Sequence, residues 1–206
     1  MKTDLKKTLL LVILIPLYSL PNFAQKLDND KISTYVERQM LEITKLISLT
    51  PTQIDIFIKL CENYQLKLDS ALHFEENPIN YISKINNAEK EFTIAFYDAL
   101  TDRQISQYVN NKSYAKVKHN TKDIINLLEE SGAYTKKALV KIEKRVYNYL
   151  ILEEVAYMRY KYDLTKQKEN LHRLKSIQPN YIKVAETYRK LKLDGRIQDG
   201  SINWGK

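Results

Sequence analysis

The chain has 206 residues, 33 basic and 25 acidic, for a formal net charge of +8. That length can bury a sizeable core in one domain. The single cysteine, Cys61, excludes an internal disulfide, and four Gly, five Pro and no sustained period-2 alternation exclude a β design.

The amino terminus reads as an export signal. Lys2, Lys6 and Lys7 precede an almost unbroken apolar run from Thr8 to Leu20, and Pro21-Asn22-Phe23-Ala24-Gln25 offers a cleavage point after Ala24. The run is 13 residues, short of the roughly 20 that span a bilayer. Residues 1–24 are therefore expected to be a cleaved signal peptide, leaving no stable membrane span. No Cys sits just after the cut, so nothing suggests a lipid anchor. The mature chain keeps 30 basic and 24 acidic side chains, a net of +6.

Helices are expected over roughly 28–48, 51–74, 79–98, 102–110, 121–130, 134–176 and 180–192. Asn77-Pro78 ends one helix and starts the next, because Pro disfavours the α conformation in its predecessor. Asn110-Asn111-Lys112-Ser113 and Ser131-Gly132 read as polar breaks, and Gln178-Pro179-Asn180 as a further stop. Residues 134–176 contain no Gly or Pro and read as one helix of about 63 Å at 1.5 Å per residue. A rough apolar stripe from Leu139 through Val146, Tyr149 and Tyr160 to Leu174 must pack on the chain or on a second copy. The fold expected is all-α, an elongated bundle of helical hairpins with this long helix in its second half. Residues 25–195 form one domain, with a faint duplication near 120 in which 174–182 echoes 98–105. A flexible tail covers 196–206.

One motif occurs twice. Leu49-Thr50-Pro51-Thr52-Gln53 and Leu100-Thr101-Asp102-Arg103-Gln104 lie 51 positions apart, each followed by Ile. Thr suits the helix cap, and Gln three residues on can reach back to its N–H, closing a capping box. Leu before the cap and Ile at the fourth helical position make a hydrophobic staple. Pro51 and Asp102 suit the first helical position. As caps, the Thr residues should matter more to stability than the Gln residues.

The twin L-T-x-x-Q motifs resemble those of the Spy/CpxP family of small, all-helical periplasmic proteins, over roughly residues 40–110. The resemblance implies an ATP-independent chaperone or envelope-stress protein of the Gram-negative periplasm, with a helical homodimer as a family habit. Leu49, Thr50, Gln53, Leu100, Thr101 and Gln104 carry over, with a structural role. The long second half departs from the family pattern, which puts cradle shape and dimer mode in doubt.

Charge is uneven. Residues 25–133 hold 13 basic and 16 acidic side chains, a net of −3, whereas 134–192 hold 15 and 6, a net of +9, with eight of the fifteen Tyr. Tyr149, Tyr157, Arg159, Tyr160, Lys161 and Tyr162 are the candidate surface for unfolded polypeptide, since Tyr presses on apolar segments and cations attract acidic ones. The competing reading is a solvated basic face with Tyr half-buried between helices. Export argues against nucleic acid as the partner.

No Gly-rich phosphate loop, Ser or Cys nucleophile motif or His-Glu-x-x-His occurs, so no enzyme activity is expected. His73, His119 and His172 are scattered, and no ligand spacing defines a metal site. No cofactor is expected. His73 beside Glu75 and Glu76 keeps a metal-binding stress sensor as an alternative, and a structural envelope protein with one dedicated partner as another. Cys61 is expected as a small core residue, or else as a bridge between two copies.

Overall fold

A computed structural model describes residues 34–74 and 77–196; the expected signal peptide, Glu75, Glu76 and tail positions 197–206 lie outside the described residues. Seven helices and no strand occur among those described, and none of the helices is long and apolar enough to cross a membrane. They are α1 (Thr34–Leu46), α2 (Pro51–Phe74), α3 (Pro78–Asp98), α4 (Asp102–Glu130), α5 (Lys136–Arg159), α6 (Leu164–Ser176) and α7 (Asn180–Leu193). The all-α expectation holds.

Helix α1 buries Val36, Met40 and Ile43 at three-and-four spacing, one apolar stripe against the rest. Helices α2 and α3 form an antiparallel hairpin. Its restart is local chemistry, because the Asn77 side chain accepts from the N–H of Ile79 at 2.9 Å and Pro78 occupies the first turn. Helices α4 and α5 form a second, longer hairpin, closed through Ser131 and Gly132. Gly132 sits at φ +66°, a conformation in which glycine carries no Cβ penalty. Thr135 then caps α5 by accepting from Ala138 N–H at 3.3 Å.

The α4–α5 hairpin runs through two apolar cores. The first joins α1, α2 and α3 to the start of α4 around Met40, Phe57, Cys61, Phe96 and Ile105, with Val155 and Met158 of α5 packed against it. The second gathers Leu128 of α4, Leu139, Ile142, Val146 and Tyr149 of α5, and Ile182 and Ala185 of α7. Cys61 is fully buried in the first core, and burial pushes its thiol up to about 11. The folded chain therefore presents no thiol for bridging copies.

Two expected boundaries are corrected. Asn110 to Ser113 does not break a helix; α4 runs continuously for 29 residues. Its polar side chains have tertiary partners instead of competing for the local backbone. Asn110 Oδ1 accepts from Tyr147 Oη at 2.8 Å, and Asn111 Nδ2 donates to the Leu46 carbonyl at 2.6 Å, so it caps the end of α1. Conversely, the helix expected over 134–176 is two, parted at Tyr160–Asp163. Asp163 accepts from Lys166 N–H at 3.0 Å and starts α6, while Gln167 Nε2 donates to the carbonyls of Tyr157 and Tyr160 at 3.3 and 3.4 Å. One side chain caps the new helix and the other satisfies the orphan carbonyls of the old one. Helix α7 starts after Pro179 with no side-chain cap bond, unlike the two motif helices.

Candidate functional site

The two motifs meet. Thr50 N–H donates to Gln53 Oε1 at 3.0 Å and Thr101 N–H to Gln104 Oε1 at 3.0 Å. The Thr hydroxyls in turn accept from Gln53 N–H at 3.2 Å and Gln104 N–H at 3.3 Å, so both capping boxes are closed. The carboxamides then pair across the helix starts. Gln53 Nε2 donates to Gln104 Oε1 at 3.0 Å, and Gln104 Nε2 donates to Gln53 Oε1 at 2.9 Å. Each Nε2 also reaches a carbonyl just before the opposite motif, Ala99 for Gln53 at 2.9 Å and Ser48 for Gln104 at 3.0 Å. Both donors of each amide are used, and its oxygen takes the cap N–H and the opposite amide, a set only a carboxamide can supply. Leu100 and Ile105 are buried in the first core, and Leu49 and Ile54 pack against it, so both staples are made.

This lock fixes α2 and α4 at their starts, and a cleft opens among α1, α2, α3 and α4. Its volume is about 800 Å³, within the range of ligand sites. Tyr35, Tyr64, Phe92, Phe96, Tyr97 and Tyr108 line it, with Met158 of α5. The rings touch in a chain: Phe96 lies 4.9 Å from Tyr108, 5.2 Å from Tyr97 and 6.1 Å from Phe92, which is 5.1 Å from Tyr64. Offset and edge contacts of this kind hold aromatic walls in place. Burial, with Tyr64 and Cys61 nearby, pushes the Tyr35 phenol up to about 12, and burial raises Tyr64 and Tyr97 as well. Inside the cleft, aromatic carbon is mixed with polar groups from Gln39, Thr93 and Asn111. Its rim is charged, with Glu42, Glu89, Lys112 and Lys161.

The candidate polypeptide-binding residues divide. Lys161 and Tyr162 reach this rim: Lys161 Nζ donates to Glu89 at 2.6 Å and lies 4.9 Å from the Tyr162 ring. Hydrogen bonds from Lys161 and then Tyr162 hold the Glu89 carboxyl below its usual range, and the same bond raises Lys161. Arg159 donates to Asp102 at 2.7 Å, at the first helical position of the second motif, and lies 5.5 Å from the Tyr160 ring. Tyr160 is half-buried at the α5 end, and Tyr157 is exposed. Tyr149 is a correction: it is buried in the second core, so it offers no surface. Arg159 at the end of α5 and Lys161 just after it are thus ion-paired ties to α4 and α3.

The aromatic cleft itself was not legible as a site. Its rings come from four separate helices, so no local spacing brings them together. His73, His119 and His172 stay apart; His119 Nε2 lies 3.4 Å from Asp123, and among the described residues no three His, Cys, Asp or Glu side chains converge to hold a metal.

Searches against protein-family models, curated proteins and solved structures match nothing to this chain. Its class therefore rests on its own geometry: a helical protein with an interlocked double cap and an open aromatic cleft.

Proposed function

We propose that this is an exported, non-enzymatic protein of the periplasm that binds non-native polypeptide without ATP, its aromatic cleft taking up apolar side chains. The observation that carries the reading is the open cleft of about 800 Å³ walled by six aromatic rings and rimmed by charge. Aromatic walls hold many apolar side chains without demanding one shape, and a charged rim keeps the site wet and reversible. The amino-terminal leader supports the compartment, and the twin L-T-x-x-Q motifs support the chaperone or envelope-stress class.

The test is aggregation suppression by the purified mature chain, with a thermally labile enzyme as client. Thr93 lines the cleft and is half-buried, so Thr93→Trp sets an indole into it and narrows it. The expected result is suppression by wild type at a few molar equivalents and a several-fold loss in Thr93→Trp at unchanged helix content. Absence of suppression in wild type, or full activity in a folded Thr93→Trp, overturns the reading.

A further inference from the structure

A second surface, distinct from the cleft, lies on the outer side of the α4–α5 hairpin. Tyr114, Lys118 and Thr121 of α4 face Val140, Lys144 and Tyr147 of α5 across a groove of about 330 Å³. Its floor is ordered: Tyr147 donates to Asn110 Oδ1 at 2.8 Å, and the Tyr114 and Tyr147 rings meet edge-on at 6.4 Å. Its lip is apolar and uncovered, with Val140 71% and Tyr114 50% exposed.

Some cations of the described residues are ion-paired and others, those of this groove among them, are not. Lys116, Lys136, Arg159, Lys161, Lys166 and Lys192 all have a carboxylate within ion-pair distance. Lys118 and Lys144 have none among the described residues; Lys118 Nζ lies over the Tyr114 ring at 5.3 Å. The exposed Lys122, one turn along α4, is likewise without a carboxylate. Lys118, Lys122 and Lys144 outnumber Glu143 around an apolar slot, so the local potential is positive and its complement is negative.

We infer that this groove docks an acidic protein segment that inserts one aromatic or large aliphatic side chain beside Val140, its carboxylates meeting Lys118, Lys122 and Lys144. A volume of about 330 Å³ fits one such side chain rather than a ligand of many rings. Glu143 on the rim can accept a backbone N–H of the segment.

The experiment is fluorescence anisotropy on the full mature chain with three labelled peptides: Glu/Asp-rich with a central Phe, the same with Ala for Phe, and a Lys-rich control. Expected is binding of the first, at least tenfold weaker binding of the other two, and at least tenfold weakening of the first by Lys118→Glu/Lys144→Glu. Because neither lysine pairs with a carboxylate, thermal unfolding of that variant should stay close to wild type, lowered only by loss of the Lys118–Tyr114 ring contact. Val140→Asp serves as a second variant and should weaken the same peptide, while Thr93→Trp should leave it unchanged, which separates this surface from the cleft. The proposal is overturned if the acidic Phe peptide fails to bind, if both groove variants bind it as wild type does, or if single-stranded DNA or anionic vesicles bind more tightly than the peptide in a groove-dependent way.

Discussion

Gln53 and Gln104, 51 residues apart in the chain, pair their carboxamides with each other through two reciprocal hydrogen bonds of 3.0 and 2.9 Å. Each also closes its own cap and reaches the carbonyl ahead of the other's motif. Two helix starts are thereby bolted into one unit. The repeated Gln is needed for its two donors and its acceptor together, a role beyond closing its own helix.

The order of motif sensitivities follows from that pairing. Motif chemistry alone ranks Thr above Gln, but the cross-link reverses the ranking. Thr50→Ala or Thr101→Ala should cost about 1 kcal/mol. Gln53→Ala or Gln104→Ala leaves a backbone carbonyl and the opposite amide short of partners, and should cost about 1–3 kcal/mol. Gln53→Glu should be at least as damaging, because it removes both donors and sets a charge against two oxygens. The double Gln→Ala change should fall short of additive by about 0.5–3 kcal/mol. Urea denaturation of the set checks this, and strictly additive losses would contradict the pairing.

Glu153 should make the fold prefer mild acid. Burial, with Glu186 and Glu154 nearby, raises its carboxyl despite a bond from Tyr149. A carboxyl raised in the fold favours the protonated form, so the stability it contributes is present at low pH and lost as pH rises from the ordinary Glu value of about 4.3 through the folded value. Glu153→Gln should therefore raise the denaturation midpoint at neutral pH and flatten its pH dependence between pH 4 and neutrality. A lower midpoint at neutral pH is the contrary outcome.

The Lys161–Glu89 tie behaves with the opposite sign. Glu89 is held low by Lys161, so the stability of this tie is present at neutral pH and lost as pH falls through the lowered value. Lys161→Glu should cost about 0.2–1 kcal/mol, the range for exposed pairs, and Glu89→Lys in the same chain should restore it. Thermal melts of the two single variants and the swap decide the matter. Charge reversal at Arg159 and Lys161 is for this reason a stability perturbation as well as a surface one.

Client capture should weaken with salt but persist. Rim charges are screened over roughly 8 Å at physiological ionic strength, whereas the aromatic walls are not. Aggregation suppression measured from low to high salt should fall several-fold and level off. Complete loss would mean that the aromatic walls hold nothing.

Export should leave a mature chain beginning near Gln25. Intact-mass measurement on the protein from its native host checks this, and a full-length chain in the cytoplasmic fraction would count against the compartment.

Helix content, most helix starts and the staple leucines were legible because their causes are local. A Thr-x-x-Gln box, an Asn-Pro step or a Ser-Gly break acts within one turn of backbone, so residue spacing alone reveals it. The Asn110–Ser113 stretch misled because local rules read Asn and Ser as competitors for the backbone. Tyr147 and the Leu46 carbonyl, far away in sequence, occupy those side chains instead. The stop at Tyr160–Asp163 was hidden for a related reason: without Gly or Pro, it depends on Asp163 and Gln167 acting together.

What the sequence by itself determined, then, was an all-helical chain with two identical caps. Only the tertiary structure decided that the caps face each other, that Tyr149 is core while Lys161 is rim, and that rings from α1, α2, α3 and α4 share one cleft. The physical reason is range: capping and periodicity act over a few residues, whereas an amide pair across 51 residues or a cleft among four helices exists only after packing brings the elements together.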